Sequence, residues 1–231
     1  MNKLTKIIGV LAILCGLTAT QSIADSSDFA GPYIGLTGAA VGIELDGSHT
    51  KGNDAVGNKV NKTSGKVGAV AGIVGAQVGY AIPIGDSFLI DVGVSMNTGE
   101  AEIKSSTDDT SATADVKFTV SDLVSAWIAP TWAASDTASV YIKIGTLEAD
   151  TKASGDVTAP ASLKGEFVAL GTRSLLGGGM YISTEAGIQQ YNNLSVTGKG
   201  EGGAGTLIST TTKISADPMI AYGQVAIGYK F

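Results

Sequence analysis

Few residues in this 231-residue sequence are of a type and spacing that could do chemistry. His49 is the only histidine and stands in a polar stretch beside Gly47 and Ser48. An imidazole there could serve a serine as general base in acyl transfer or hydrolysis. No acid or nucleophile can be placed next to it from the sequence, so it reads as a solvated loop residue. Gly198-Lys199-Gly200-Glu201-Gly202-Gly203 has the spelling of a dinucleotide-binding loop. That chemistry needs a buried parallel strand before the loop and a helix after it, and Gly/Thr-rich surroundings supply neither. Gly177-Gly178-Gly179 reads as a turn whose residues take positive φ, not as a phosphate cradle. Asp108, Asp109, Asp150 and Asp156 could collect divalent cations, although scattered solvated carboxylates are the simpler reading. Cys15 is the only cysteine and falls in the N-terminal segment, leaving no thiol for catalysis, disulfides or metal ligation beyond it. We therefore expect no catalytic, cofactor or metal site.

Four further charged residues, Asp91, Lys143, Arg173 and Glu185, matter because of the elements that carry them. Phe88, Ile90, Val92, Val94 and Met96 alternate with Leu89, Asp91, Gly93, Ser95 and Asn97. Val70, Val74, Val78, Tyr80 and Ile82 alternate with Ala69, Ala71, Gly75, Gln77 and Gly79 in the same way. Period-two patterning over such lengths marks strands, and about 9 to 11 tilted residues suffice to span a bilayer. Continuing along the chain places eight strands near residues 33–45, 66–82, 87–103, 116–131, 138–149, 163–174, 180–192 and 213–231. Long polar connections (46–65, 104–115, 150–162, 193–212) alternate with short turns (83–86, 132–137, 175–179). That asymmetry belongs to an antiparallel up-and-down transmembrane β-barrel, its bulky apolar residues facing lipid and its small ones facing a narrow interior. Closure is required because every backbone N–H and C=O in lipid needs a partner.

On this parity Asp91, Lys143, Arg173 and Glu185 all point inward, where charges must pair or hold water. Arg173 and Glu185 sit on adjacent strands within reach of each other. The four read as a salt-bridge network filling the lumen, with a polar path for small solutes as the alternative. Two strands are irregular: Asp122 interrupts the Val116, Phe118, Val120 face of the fourth, which predicts a bulge or an interfacial depth. In the first, Ile34 and Leu36 lie on the opposite parity from Val41, Ile43 and Leu45.

Residues 1–24 read as a cleaved secretory signal peptide: Lys3 and Lys6, an apolar run from Ile7 to Leu17, and Ser22-Ile23-Ala24 before Asp25. The remaining 25–231 read as a single barrel domain. At the other end Val225, Ile227, Tyr229 and Phe231 form one apolar face ending on an aromatic residue, and no domain is expected to follow. The net charge of -6 and the lack of a basic patch exclude nucleic acid as a partner.

Gly31-Pro32-Tyr33-Ile34-Gly35-Leu36, Ala169-Leu170-Gly171-Thr172-Arg173 and Tyr181-Ile182-Ser183-Thr184-Glu185-Ala186-Gly187, with the terminal strand, resemble the small outer-membrane barrels of the outer-membrane protein A and opacity types. The resemblance implies an all-β protein of the outer membrane of a Gram-negative bacterium, with termini periplasmic and long loops outside. It implies that Val225, Ile227, Tyr229 and Phe231 serve as the signal to the barrel assembly machinery, among outer-membrane lipid and lipopolysaccharide. The function expected is a non-enzymatic, structural and adhesin-like one carried by the loops, which would meet an extracellular partner. A narrow porin is the alternative, and a lipid A-modifying enzyme using His49 a remote one. With aromatic residues at only 6%, the girdles should be thin.

Overall fold

The computed structural model describes residues 25–51, 61–107, 114–154, 157–158, 160–198 and 213–231. Eight long antiparallel strands carry the fold: β1 (Gly31–Lys51), β2 (Asn61–Pro83), β3 (Phe88–Thr98), β5 (Ala114–Ser135), β6 (Ala138–Ser154), β8 (Ser162–Gly177), β9 (Met180–Tyr191) and β11 (Lys213–Lys230). Each pairs with the next, and β1 pairs with β11 from Tyr33 opposite Lys230 to Thr50 opposite Lys213, closing the barrel. Three short strands extend this wall: β4 (Ala101–Thr107) continues β3 alongside β5, β10 (Leu194–Gly198) continues β9 alongside β11, and β7 (Val157–Thr158) pairs with β10.

Alternation sorts the faces as physics requires of a wall in lipid. Leu36, Val70, Val74, Val78, Val94, Met96 and Ile128 are exposed on the outside, whereas Asp91, Gln77, Lys143 and Arg173 are buried inside. An exterior of this kind is stable only against hydrocarbon. At a rise of about 3.3 Å per residue and a tilt of about 40°, β1 and β2 climb roughly 50 Å, whereas the apolar band of a barrel is roughly 25 Å tall. The strands therefore continue well past the lipid.

That height corrects the expected loops. The polar stretch starting at Asp46 stays in the sheet to Lys51, and β2 begins at Asn61. His49 is thus a strand residue opposite Thr63 and Ile214, not a loop residue. Backbone pairing continues there although the apolar signal that betrays a strand in lipid has ended. Of the acidic residues, Asp150 is on β6 opposite Ser162, while Asp108, Asp109 and Asp156 lie outside the described residues. So do residues 1–24 and all of the glycine-rich motif after Gly198.

The other expectations meet specific geometry. Asp122 takes φ 50 and the β5–β6 register shifts between Ser121 and Leu123, so a bulge turns Phe118 and Trp127 onto the same inner face although their parities differ. In β1 no such shift occurs: Ile34 and Leu36 face out while Val41 and Ile43 are buried within. The interior farther from the termini is consequently lined by bulky apolar side chains, where small residues were expected. Gly177, Gly178 and Gly179 take φ 87, 60 and 82 at the β8–β9 turn.

Six of the inner-face aromatics share one arrangement. Tyr33 lies directly opposite Gly79, Trp127 opposite Gly93, Tyr141 opposite Gly171, Phe167 opposite Gly145, Tyr181 opposite Gly228, and Tyr222 opposite Gly187. In every case the ring lies where the missing Cβ would stand; the distance would be 2.7 Å for Phe167 over Gly145 and for Tyr222 over Gly187. Glycine leaves a hole in the wall, and the ring across the ladder fills it.

The barrel end near the termini is corked by a single 3-10 turn, Ser26–Asp28. Ser26 donates through N–H to Asp86 O at 2.7 Å and through Oγ to Gly85 O at 2.6 Å, which drives Phe29 into a cluster with Tyr33, Ala81, Leu89, Ala133 and Tyr181.

The pairing of ring with glycine makes a prediction. Gly171→Ala forces the Tyr141 ring off its partner and should cost about 1–3 kcal/mol in urea unfolding, as overpacking does. Gly38→Ala, where a Cβ meets nothing within 4 Å, should stay within about 0.5 kcal/mol of the parent.

Candidate functional site: the charged layer in the lumen

The narrow interior of eight strands brings inward side chains of non-neighbouring strands into contact. Asp91 on β3 and Arg173 on β8 meet across the lumen, with Arg173 Nη2 donating to Asp91 Oδ2 at 2.9 Å. Thr131 Oγ1 lies 3.4 Å from the same oxygen. The guanidinium stacks 4.3 Å from the Tyr33 ring centre and 5.4 Å from that of Tyr181, and those two rings meet edge to face at 5.8 Å. Cation–π contacts of this sort compensate a desolvated cation without a second carboxylate.

Lys143 on β6 forms an ion pair with Glu185 on β9. Its ammonium lies 4.5 Å from the Trp127 ring centre and 5.3 Å from that of Tyr141. Glu185 also accepts from the Tyr141 hydroxyl at 3.1 Å and the Tyr222 hydroxyl at 2.6 Å. All four charged residues are at most 7% exposed, so the pairs do not depend on surface screening.

The expected Arg173–Glu185 contact is not what forms. Ser183 faces Arg173 across the β8–β9 ladder and Glu185 faces Gly171, so ladder proximity is present. Lumen geometry overrides it: each long cation reaches over to a carboxylate two or three strands away, and each pair acquires its own aromatic walls. The sequence reading missed those walls, Tyr33, Trp127, Tyr141, Tyr181 and Tyr222. The signal was there in their glycine partners, but it appears only once the register is known.

A polar belt adjoins the charges. Thr37 Oγ1 donates to Asn97 Oδ1 at 3.1 Å, Ser95 and Ser125 share a hydrogen bond of 2.7 Å, and Gln77 Nε2 lies 3.4 Å from the Tyr181 hydroxyl. Farther from the termini Val41, Ile43, Phe118, Leu147, Phe167 and Ile220 close the interior. The cavity left in the middle of the lumen measures only about 30 Å³. Two cations and two carboxylates cancel, and no nucleophile or acid of the layer is open to solvent. Among the described residues no group of three or more His, Cys, Asp or Glu side chains converges on a metal-sized site. Chemically, the arrangement can hold a barrel shut and stiff.

Val225, Ile227, Tyr229 and Phe231 lie on the outer face of β11 and just beyond it, with Tyr229 and Phe231 packed edge to face at 5.1 Å.

No family model matches the sequence, and no curated protein matches it. Solved structures do. Outer membrane protein OprG from Pseudomonas aeruginosa is 13% identical and superposes over 91% of this chain and 99% of its own with a TM-score of 0.54. The outer membrane protease OmpT from Escherichia coli is 6% identical over 87% of this chain and 97% of its own, TM-score 0.49. Ail, the attachment invasion locus protein of Yersinia pestis, crystallised with the heparin analogue sucrose octasulfate, is 12% identical over 85% of this chain and 99% of its own, TM-score 0.42. The similarity to OprG establishes the fold as that of a small outer-membrane β-barrel.

Truncating one member of a buried pair strands the other. Arg173→Met should cost about 3–5 kcal/mol in urea unfolding of the micelle-folded barrel, and the double variant Asp91→Leu/Arg173→Met should recover a large part of that loss.

Proposed function

We propose that this chain is a non-enzymatic, integral protein of the outer membrane of a Gram-negative bacterium. Its barrel does not conduct, and its work is done where the sheet rises beyond the lipid. The observation that supports this reading is the filled lumen: neutralised ion pairs, aromatic rings over glycines and a central cavity of only about 30 Å³. The extended strands β1, β2, β5 and β11 supply what a surface protein needs, a rigid sheet that lifts the connecting segments away from the bilayer. Contacts of an adhesive kind with an extracellular partner are the role this suits, with the short turns and both termini on the periplasmic side.

In the same reading residues 1–24 are the leader removed on export. The outward row Val225, Ile227, Tyr229 and Phe231 is what the assembly machinery recognises. Outer-membrane lipid and lipopolysaccharide surround the apolar belt. Depth within the bilayer also fits: strands as short as β9, with 12 residues, still cover the hydrocarbon at a 40° tilt, reaching roughly 30 Å.

The test is electrical. Protein from Asp25 onward, refolded in detergent and shown to be folded by a mobility difference between unboiled and boiled samples, should be silent in a planar lipid bilayer. Reproducible conductance steps that change in Lys143→Met or Arg173→Met would make it a narrow porin instead.

A further inference from the structure

The wall has one interruption. The ladder between β2 and β3 runs from Pro83 opposite Leu89 up to Val74 opposite Thr98, where β3 ends. β4 takes over alongside β5, and among the described residues no ladder joins it to β2. β2 itself goes on to Asn61, paired with β1 throughout and without a register shift, so the edge it presents is straight and held from behind. Pairing stops at a height that lipid explains. Val74 to Pro83 climb roughly 25 Å, the height of an apolar band. On the outer face of β3, Val92, Val94 and Met96 give way at the same level to Thr98 and Glu100. Backbone groups must be paired in hydrocarbon, and the ladder is complete as far as hydrocarbon reaches.

The direction of the free groups follows from their neighbours. Val74 O accepts from Thr98 Oγ1 at 3.4 Å, and Gly72 O lies 3.5 Å from where a Cβ on Gly99 would stand. Period two then turns the N–H and C=O of Gly72, Val70 and Gly68 toward the seam. Native sheets guard such an edge with charge, proline, a bulge or brevity. Val67-Gly68-Ala69-Val70-Ala71-Gly72-Ile73 contains no charge and no proline, and Val70 is 84% exposed. The complement of a row of N–H and C=O groups is another extended backbone.

We propose that the edge of β2 from Gly68 to Gly72 is a strand-addition site for an extended segment of an extracellular polypeptide. Main-chain hydrogen bonds supply the affinity, and side chains at alternate positions supply the selectivity. Residues of the added segment that point inward stand beside Ala69 and Ala71, which pack against the apolar closure, so they are apolar; those beside Val70 face outward. A second copy in the same membrane does not fit the edge. A two-fold axis along the membrane normal reverses the strand tilt, so two β2 edges would cross at about 80° instead of running side by side. The site rests on the reading that this part of the sheet stands outside the membrane, and it adds the mode of contact.

Hydrogen exchange at single backbone amides of the micelle-folded barrel tests it, with a short peptide of alternating threonine and valine as the probe. The Gly68, Val70 and Gly72 amides should exchange fast in the barrel alone and at least about tenfold more slowly with peptide, while Val74 and Ala76 do not change. The same peptide methylated on its backbone nitrogens should have no effect. Val70→Pro removes an N–H that faces the seam and leaves the β1 ladder intact, so it should abolish the slowing. Fast exchange with and without peptide, or equal slowing by the methylated peptide, overturns the proposal. So does slow exchange in the barrel alone, and a paramagnetic lipid label then separates the causes. Broadening of these amides puts the seam in lipid, and the reading of an external wall fails with it; sharp signals mean that β4 has closed the seam. Should Val70→Pro fail to fold, the comparison of the two peptides decides alone.

Discussion

A small barrel is short of interior space, and six of its inward rings find room where the facing strand has no side chain. Tyr33, Trp127, Tyr141, Phe167, Tyr181 and Tyr222 all face inward, and each finds a glycine directly across the ladder. The pairing explains why a sheet can contain so much of a residue that weakens strands. Glycine in a strand costs backbone entropy and contributes no side-chain packing. A ring from the partner strand restores the packing and leaves the wall narrow enough to close after eight strands. Register follows from the same contacts, because a slip by one residue would set every ring against lipid and every glycine against nothing.

The electrostatics depend on this scaffold. Arg173 is confined by Tyr33 and Tyr181, and Lys143 by Trp127 and Tyr141, so each cation is fixed in place by rings that are themselves fixed by glycines. A desolvated charge is tolerable only with a partner of good geometry and further hydrogen bonds. Glu185 has the Lys143 ammonium and two tyrosine hydroxyls; Asp91 has a guanidinium nitrogen with a threonine hydroxyl beside it. Neutral overall and anchored to separate strands, the layer ties β3 to β8 and β6 to β9 across a space that no backbone hydrogen bond can bridge.

What could be read from the sequence was whatever repeats with period two inside lipid. Phe88 to Met96 and Val70 to Ile82 declared their faces because water and hydrocarbon demand opposite residues on opposite sides, and the same logic placed Asp91, Lys143, Arg173 and Glu185 within. Asp122 announced its bulge by breaking that pattern. Beyond the lipid neither face has to be apolar, so the upper parts of β1 and β2 carry no alternation, and His49 looked like a loop residue although its backbone is paired on both sides. Partner choice among the interior charges was equally hidden. It depends on distances across the lumen, and local order along the chain contains no term for those. Val41 and Ile43 left the first strand's orientation ambiguous because they lie on the inner parity, and they belong to an apolar closure packed like a soluble core.

That closure also bears on where function can reside. A barrel interior packed like a protein core, with aliphatic contacts on one side of a neutral charged layer and the Phe29 cork on the other, has a high barrier to any opening wide enough for a solute. Gating by small local shifts would have to break ion pairs and displace rings from their glycines together, since the two are coupled through Tyr33, Trp127, Tyr141 and Tyr181. The wall beyond the lipid has no such obligations. There the strands need satisfy only their backbone ladders, and side-chain identity is free of both lipid and lumen. In the longest strands, β1 and β2, the sheet reaches about twice the height of the apolar band, so the part that must satisfy lipid and lumen is separated from a part that need not.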